Sequence, residues 1–163
     1  MLYSTIKTLH IVAAIWLVAG ITGRQISRFQ ARRTHDFDYF IKLINRSGWF
    51  ERWMVIPGNM SVILLGLALG LMGGWPILGF LLGSSSNWLL VSNLLLVGGM
   101  LLVPFVYAPM GKRFDMELKQ AKSEKRITPE LHAAMDDSVV GRAHIAEFAG
   151  LFIVIVLMIF KPF

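Results

Sequence analysis

Apolar residues dominate four stretches of this chain, and the charged residues fall almost entirely in two of the three segments between them. Leu2 to Gly23, Val55 to Gly74, Trp88 to Ala108 and Ala143 to Phe160 are each about as long as the ~20 apolar residues that cross ~30 Å of hydrocarbon as a helix. The pattern predicts an all-α fold, an integral membrane bundle of four transmembrane helices with amphipathic connecting helices. The four spans (about 2–23, 55–74, 88–108 and 143–160) are expected to form a single membrane domain over 1–163.

Charge sets the orientation. The first connection carries Arg24, Arg28, Arg32, Arg33, Lys42, Arg46 and Arg52, and the third carries Lys112, Arg113, Lys119, Lys122, Lys125, Arg126 and Arg142. The second connection, around "WPILGFLLGSSSN", has no charge. By the positive-inside rule the basic connections are cytoplasmic, so both termini and the short loop are expected on the outer side. Lys7 and the apolar run after it imitate a signal peptide, but the run is long and an arginine-rich flank follows, so it reads as a retained first span.

The basic connections have helical periodicity of their own. Phe37, Phe40, Ile41 and Ile44 recur at helical spacing, and Trp49, Phe50 and Trp53 follow at headgroup depth, which predicts an interfacial helix leading into span two. The third connection reads as a mixed-charge extension followed by a helix that Thr128 caps, with Pro129 at its first position. Small residues predict close helix packing: Ala13, Ala14, Gly20 and Gly23 in span one, Gly66, Gly70 and Gly74 in span two, Ala146 and Gly150 in span four. Pro104 and Pro109 are expected to bend and then end span three.

Composition narrows the chemistry. The chain is 55% hydrophobic and 16% charged, with a mean hydropathy of +0.61, too apolar for an ordinary soluble domain. The sequence pI near 10.0 comes from basic residues flanking apolar spans, so the expected partners are anionic lipid headgroups at the cytoplasmic face and no nucleic acid. With no cysteine, disulfides, thiolate metal sites and thiol chemistry are excluded. No Walker loop, dinucleotide fingerprint or HExxH occurs. Asp136 and Asp137 beside His132 match a metal cluster in composition only and read as a solvated helix face.

The polar residues inside the spans are the candidates for function. His10 lies roughly 12 Å inside span one, and an ionisable group at that depth is a functional candidate unless it is merely buried against a neighbouring helix. Neutral imidazole also ligates haem iron. The strictly apolar part of span four, Phe148 to Phe160, is too short to cross alone, so the spanning helix must include His144 and Glu147, three apart on one face. That pair reads as a proton relay, a metal site, a contact to haem propionates through His144, or an ion-pair network with Arg24, Arg52 or Arg142. Asn59, Ser61, Ser92 and Asn93 complete the set, with Asn93 expected at the depth of His10.

"IKTLHIVAAIWLVAG", "MVIPGNMSVILLGLALGL", the tryptophan opening span three and the closing "LMIFKP" resemble the bacterial integral membrane proteins of domain-of-unknown-function family 2269. The pattern is more remotely similar to HemJ-type protoporphyrinogen oxidases and CopD-type copper-resistance domains, which share the first-span histidine. The resemblance implies a bacterial inner-membrane location and, through the HemJ type, haem b on His10. Leu90 and Ser92 stand where HemJ-type proteins have a further histidine and a lysine, which argues against protoporphyrinogen oxidation. The methionines make no ladder for copper.

Three readings follow. One is a haem-b protein for redox chemistry or electron transfer, with His10 as the iron's axial ligand. Another is a non-catalytic accessory or scaffold subunit, in a larger membrane complex or homo-oligomer. The last is a small transporter using His10, Asn93, Asn59, His144 and Glu147. The sequence assigns no catalytic residue and leaves open whether the protein is an enzyme.

Overall fold

A computed structural model describes residues 1–162, and among them the chain is helical with no strand. Seven α-helices follow one another: α1 (Leu2–Arg33), α2 (Phe37–Phe50), α3 (Ile56–Met72), α4 (Trp88–Leu102), α5 (Ala108–Glu124), α6 (Pro129–Met135) and α7 (Ser138–Phe160). A π-helical turn over Glu51–Val55 joins α2 to α3, and another over Val103–Tyr107 joins α4 to α5. The result is three continuous rods of 32, 36 and 37 residues and a fourth segment of 32 residues in which Asp136 and Asp137 part α6 from α7; each has a stretch apolar enough to cross a membrane. At 1.5 Å per residue the three rods are about 48–55 Å long and project well beyond the hydrocarbon layer, while α7 alone, 23 residues, is about 35 Å and just exceeds it.

Continuity of the rods bears on the connections. The sequence predicts an interfacial helix leading into span two, and α2 runs through the π turn into α3 without a break. Span three does not end at Pro109. Pro104 sits inside the second π turn and Pro109 at the start of α5, where the change of hydrogen-bond register leaves amides unused and a missing N–H costs little. Thr128 caps α6 as expected, its hydroxyl accepting from the Leu131 amide.

The chain forms two compact units, divided after Gly74. In the first, α1 packs antiparallel along α3 with α2 beside its charged end. Glycine faces bulk along this seam. A Cβ on Gly20 would stand 2.6 Å from Met54 Cβ, one on Gly58 would stand 3.2 Å from the Leu17 backbone, and one on Gly23 would overlap the Phe50 ring. Removing side chains where two helices cross lets dispersion contacts form that lipid does not supply. Phe40, Leu43, Ile21 and Ala31 are almost wholly buried in this unit.

In the second unit α4 packs on α7, with Trp88, Leu89 and Leu157 at the centre and Ile77, Val91, Leu95 and Met158 around them. At the uncharged end the Lys161 ammonium lies 4.3 Å from the Trp75 ring centre and 5.5 Å from that of Trp88. At the charged end α5 and α6 fold together over Ala121, Leu131 and Met135. Not every predicted packing position is used alike: Ala146 is exposed and Gly150 has open space where a Cβ would go.

Candidate functional site

The strongest polar constellation is carried by the second unit, where the π turn ending at Tyr107 faces the first turns of α7. The sequence predicts that His144 and Glu147 share a helix face, and His144 Nδ1 stands 3.3 Å from Glu147 Oε2. The π turn adds a third member. Tyr107 Oη lies 3.2 Å from His144 Nδ1 and 3.3 Å from Glu147 Oε2, and the tyrosine and histidine rings stack with centres 5.0 Å apart. His144 is 8% exposed.

Three groups so close share their protons. With Nδ1 protonated, imidazole and phenol both donate to one carboxylate oxygen; with Glu147 protonated, its hydroxyl donates to a bare Nδ1 and the phenol bridges either partner. A single proton therefore has two seats 3.3 Å apart. In a water-poor span such hydrogen bonds are strong, and an unmet group is costly.

Sequence reasoning found His144 and Glu147 and missed Tyr107. A signal was present: in "VPFVYAP" the tyrosine brings a polar tip to the end of an apolar run, and Pro104 marks a disturbed helix nearby.

His10 occupies a different setting, inside the first unit. Its imidazole is seated in the notch left by Gly66 of α3, where a Cβ would meet Cε1 at 3.1 Å. The Val62 backbone carbonyl, one turn earlier on α3, also interacts with the ring. Nδ1 is buried and has no hydrogen-bond partner. Asn93 uses its amide elsewhere, donating to the Ile77 carbonyl at 3.1 Å. Ser92 is fully buried and donates to the Trp88 carbonyl one turn back. Asn59 and Ser61 are partly buried on α3.

Near the charged end of the first unit, Arg24, 4% exposed, donates to Glu51 at 2.6 Å. Glu51 opens the first π turn as Tyr107 closes the second, so each turn carries a polar side chain to a facing span. His132 pairs with Asp136 at 3.0 Å, while Asp137 caps α7 by accepting from the Val139 and Val140 amides. Among the described residues no three His, Cys, Asp or Glu side chains gather into a metal site.

Four apolar segments of spanning length define a polytopic helical membrane protein. The chain belongs to domain-of-unknown-function family 2269, described as a predicted integral membrane protein, which matches residues 4–162. No curated protein and no solved structure matches it. The more remote likeness to HemJ-type and CopD-type domains is not shown by these comparisons.

Proposed function

We propose that this protein handles protons at the cytoplasmic edge of its third and fourth spans, with Glu147 and His144 as alternating proton seats and Tyr107 as the bridge between them. The observation that carries the reading is the three-way contact within 3.3 Å, set in a span otherwise apolar from Phe148 onward. Ionisable groups at such positions are costly and mark ion pathways and proton relays. A π turn, which costs regular hydrogen bonding and recurs at functional sites, supplies the bridging residue. The cluster supports the reading of a small proton-coupled transporter over that of a scaffold.

The test is proton entry into sealed vesicles. Full-length protein in vesicles holding a pH-sensitive dye should acidify the lumen under an imposed potential faster than protein-free vesicles. Glu147→Gln should reduce the rate at least about tenfold, the scale of one lost proton-transfer group, and Tyr107→Phe should reduce it less. Wild-type vesicles that are no leakier than protein-free ones, together with an infrared carboxyl band that is unaltered in Glu147→Gln, would sink the reading.

A second reading, haem b on His10, has one observation in its favour: a buried Nδ1 without a partner. The surroundings fit a sandwiched haem poorly. The glycine notch that would admit a flat macrocycle is filled by the imidazole itself, and no second histidine lies within the spans of this unit. An absorption spectrum of protein purified from haem-replete cells, oxidised and reduced, decides it: a stoichiometric Soret band lost in His10→Ala would establish the ligand.

A further inference from the structure

Two of the arginines at the charged end of the first unit stand apart from the rest. Arg24 is paired with Glu51 and Arg33 lies over the Phe29 ring, and in the second unit Arg126 is paired with Glu124 and Arg142 bonds the Ser138 carbonyl. Arg46 and Arg52 are exposed and have no ion pair, hydrogen bond or ring contact among the described residues. Glu51, next to Arg52 in the chain, is turned to Arg24. Trp49, 52% exposed, lies between Arg46 and Arg52 in the chain, and Trp53, 60% exposed, follows Arg52.

Their height along the rod fixes what they meet. The apolar stretch begins at Val55, so Trp53 stands at the hydrocarbon boundary, Trp49 about 6 Å beyond it and Arg46 about 10 Å beyond. The headgroup layer is roughly 5–8 Å thick on each side, and an arginine stem extends along apolar surface to place its guanidinium several ångströms from its own backbone. Both guanidinium groups therefore reach the phosphate plane, with the Trp49 and Trp53 indoles near them at the depth such rings prefer. A guanidinium fork matches a phosphate in charge and geometry.

We propose that Arg46 and Arg52, with Trp49 and Trp53, form a docking site for the phosphate of an anionic phospholipid. The two arginines clasp the phosphate oxygens and the indoles lie along the glycerol and upper acyl region. The site is independent of the proton-handling cluster and stands or falls without it.

The experiment is fluorescence quenching of the reconstituted full-length protein in phosphatidylcholine vesicles, doped with brominated phosphatidylglycerol or, separately, brominated phosphatidylcholine. Trp49→Phe/Trp53→Phe identifies the part of the signal due to these two residues. The wild type should be quenched at a lower mole fraction of brominated phosphatidylglycerol than of brominated phosphatidylcholine. In Arg46→Gln/Arg52→Gln that preference should fall by about fivefold for each cation removed. Free inorganic phosphate should not displace the lipid. Equal quenching by both lipids, or a preference that survives in the double variant, overturns the proposal. So does the absence of quenching of Trp49 and Trp53, which would mean that water or another protein covers them.

Discussion

Glycine has two opposite meanings in this chain, and the difference lies in what stands opposite. At Gly20 an added Cβ would come within 2.6 Å of Met54 Cβ, an atom fixed to the backbone of the first π turn, whereas Gly98 faces open space. Gly20→Ala is therefore expected to destabilise the protein by about 1–3 kcal/mol through overpacking. Gly98→Ala should be neutral or stabilising by up to about 1 kcal/mol, the helix-propensity gain. Denaturation in mixed detergent micelles compares them directly, and equal effects would contradict the seam geometry. Gly66→Val belongs with the first class, because it evicts the His10 ring from its notch.

At the scale of elements, each rod is locked to its neighbour by a polar contact near the charged end. Glu51→Gln keeps the shape of the first lock and removes its charge. Because Glu51 is 42% exposed on its side chain, the expected loss is about 1–2 kcal/mol, below the range for a fully buried pair. Beyond the membrane, Gln120 and then Arg126 hydrogen-bond Glu124 and hold its carboxyl below the usual range. A depressed carboxyl contributes stability above its unfolded pKa and loses it as pH falls through the folded value. Amide protection at the end of α5, taken relative to the intrinsic exchange rate at each pH, should therefore fall in acid before that of α4.

Much of this was legible in the sequence. The four spans, the Thr128 cap and the His144–Glu147 pairing follow from periodicity, spacing and length. The π turns were not legible, because the i→i+5 register leaves no compositional trace beyond a nearby proline and arises from tertiary contacts. With them went Tyr107. The role of Gly66 was half legible: a small residue at a packing position is visible, but that an imidazole occupies the gap depends on the register of α1 against α3.

For the whole molecule, the sorting of charge makes a topological prediction that the absence of native cysteine makes easy to read. A single cysteine at Ser85 should react with a membrane-impermeant maleimide added outside intact cells, and one at Ser123 should react only after lysis. The reverse pattern would invert the assignment of both termini. The two π turns bear on the molecule in another way. Each inserts one residue more than a regular helix would use and takes it up in a wider turn, so the helix beyond keeps the phase it would have without that residue. Removing one residue of the second turn, for instance the exposed Phe105, lets the ladder close to a regular i→i+4 helix with the downstream rod in place, whereas the same deletion in the regular part of α4 rotates that rod by about 100°. The turns are therefore the places where the length of a span can change by a single residue. A one-residue deletion inside a turn should be tolerated better than one in the regular helix beside it, read as the yield of folded protein in detergent.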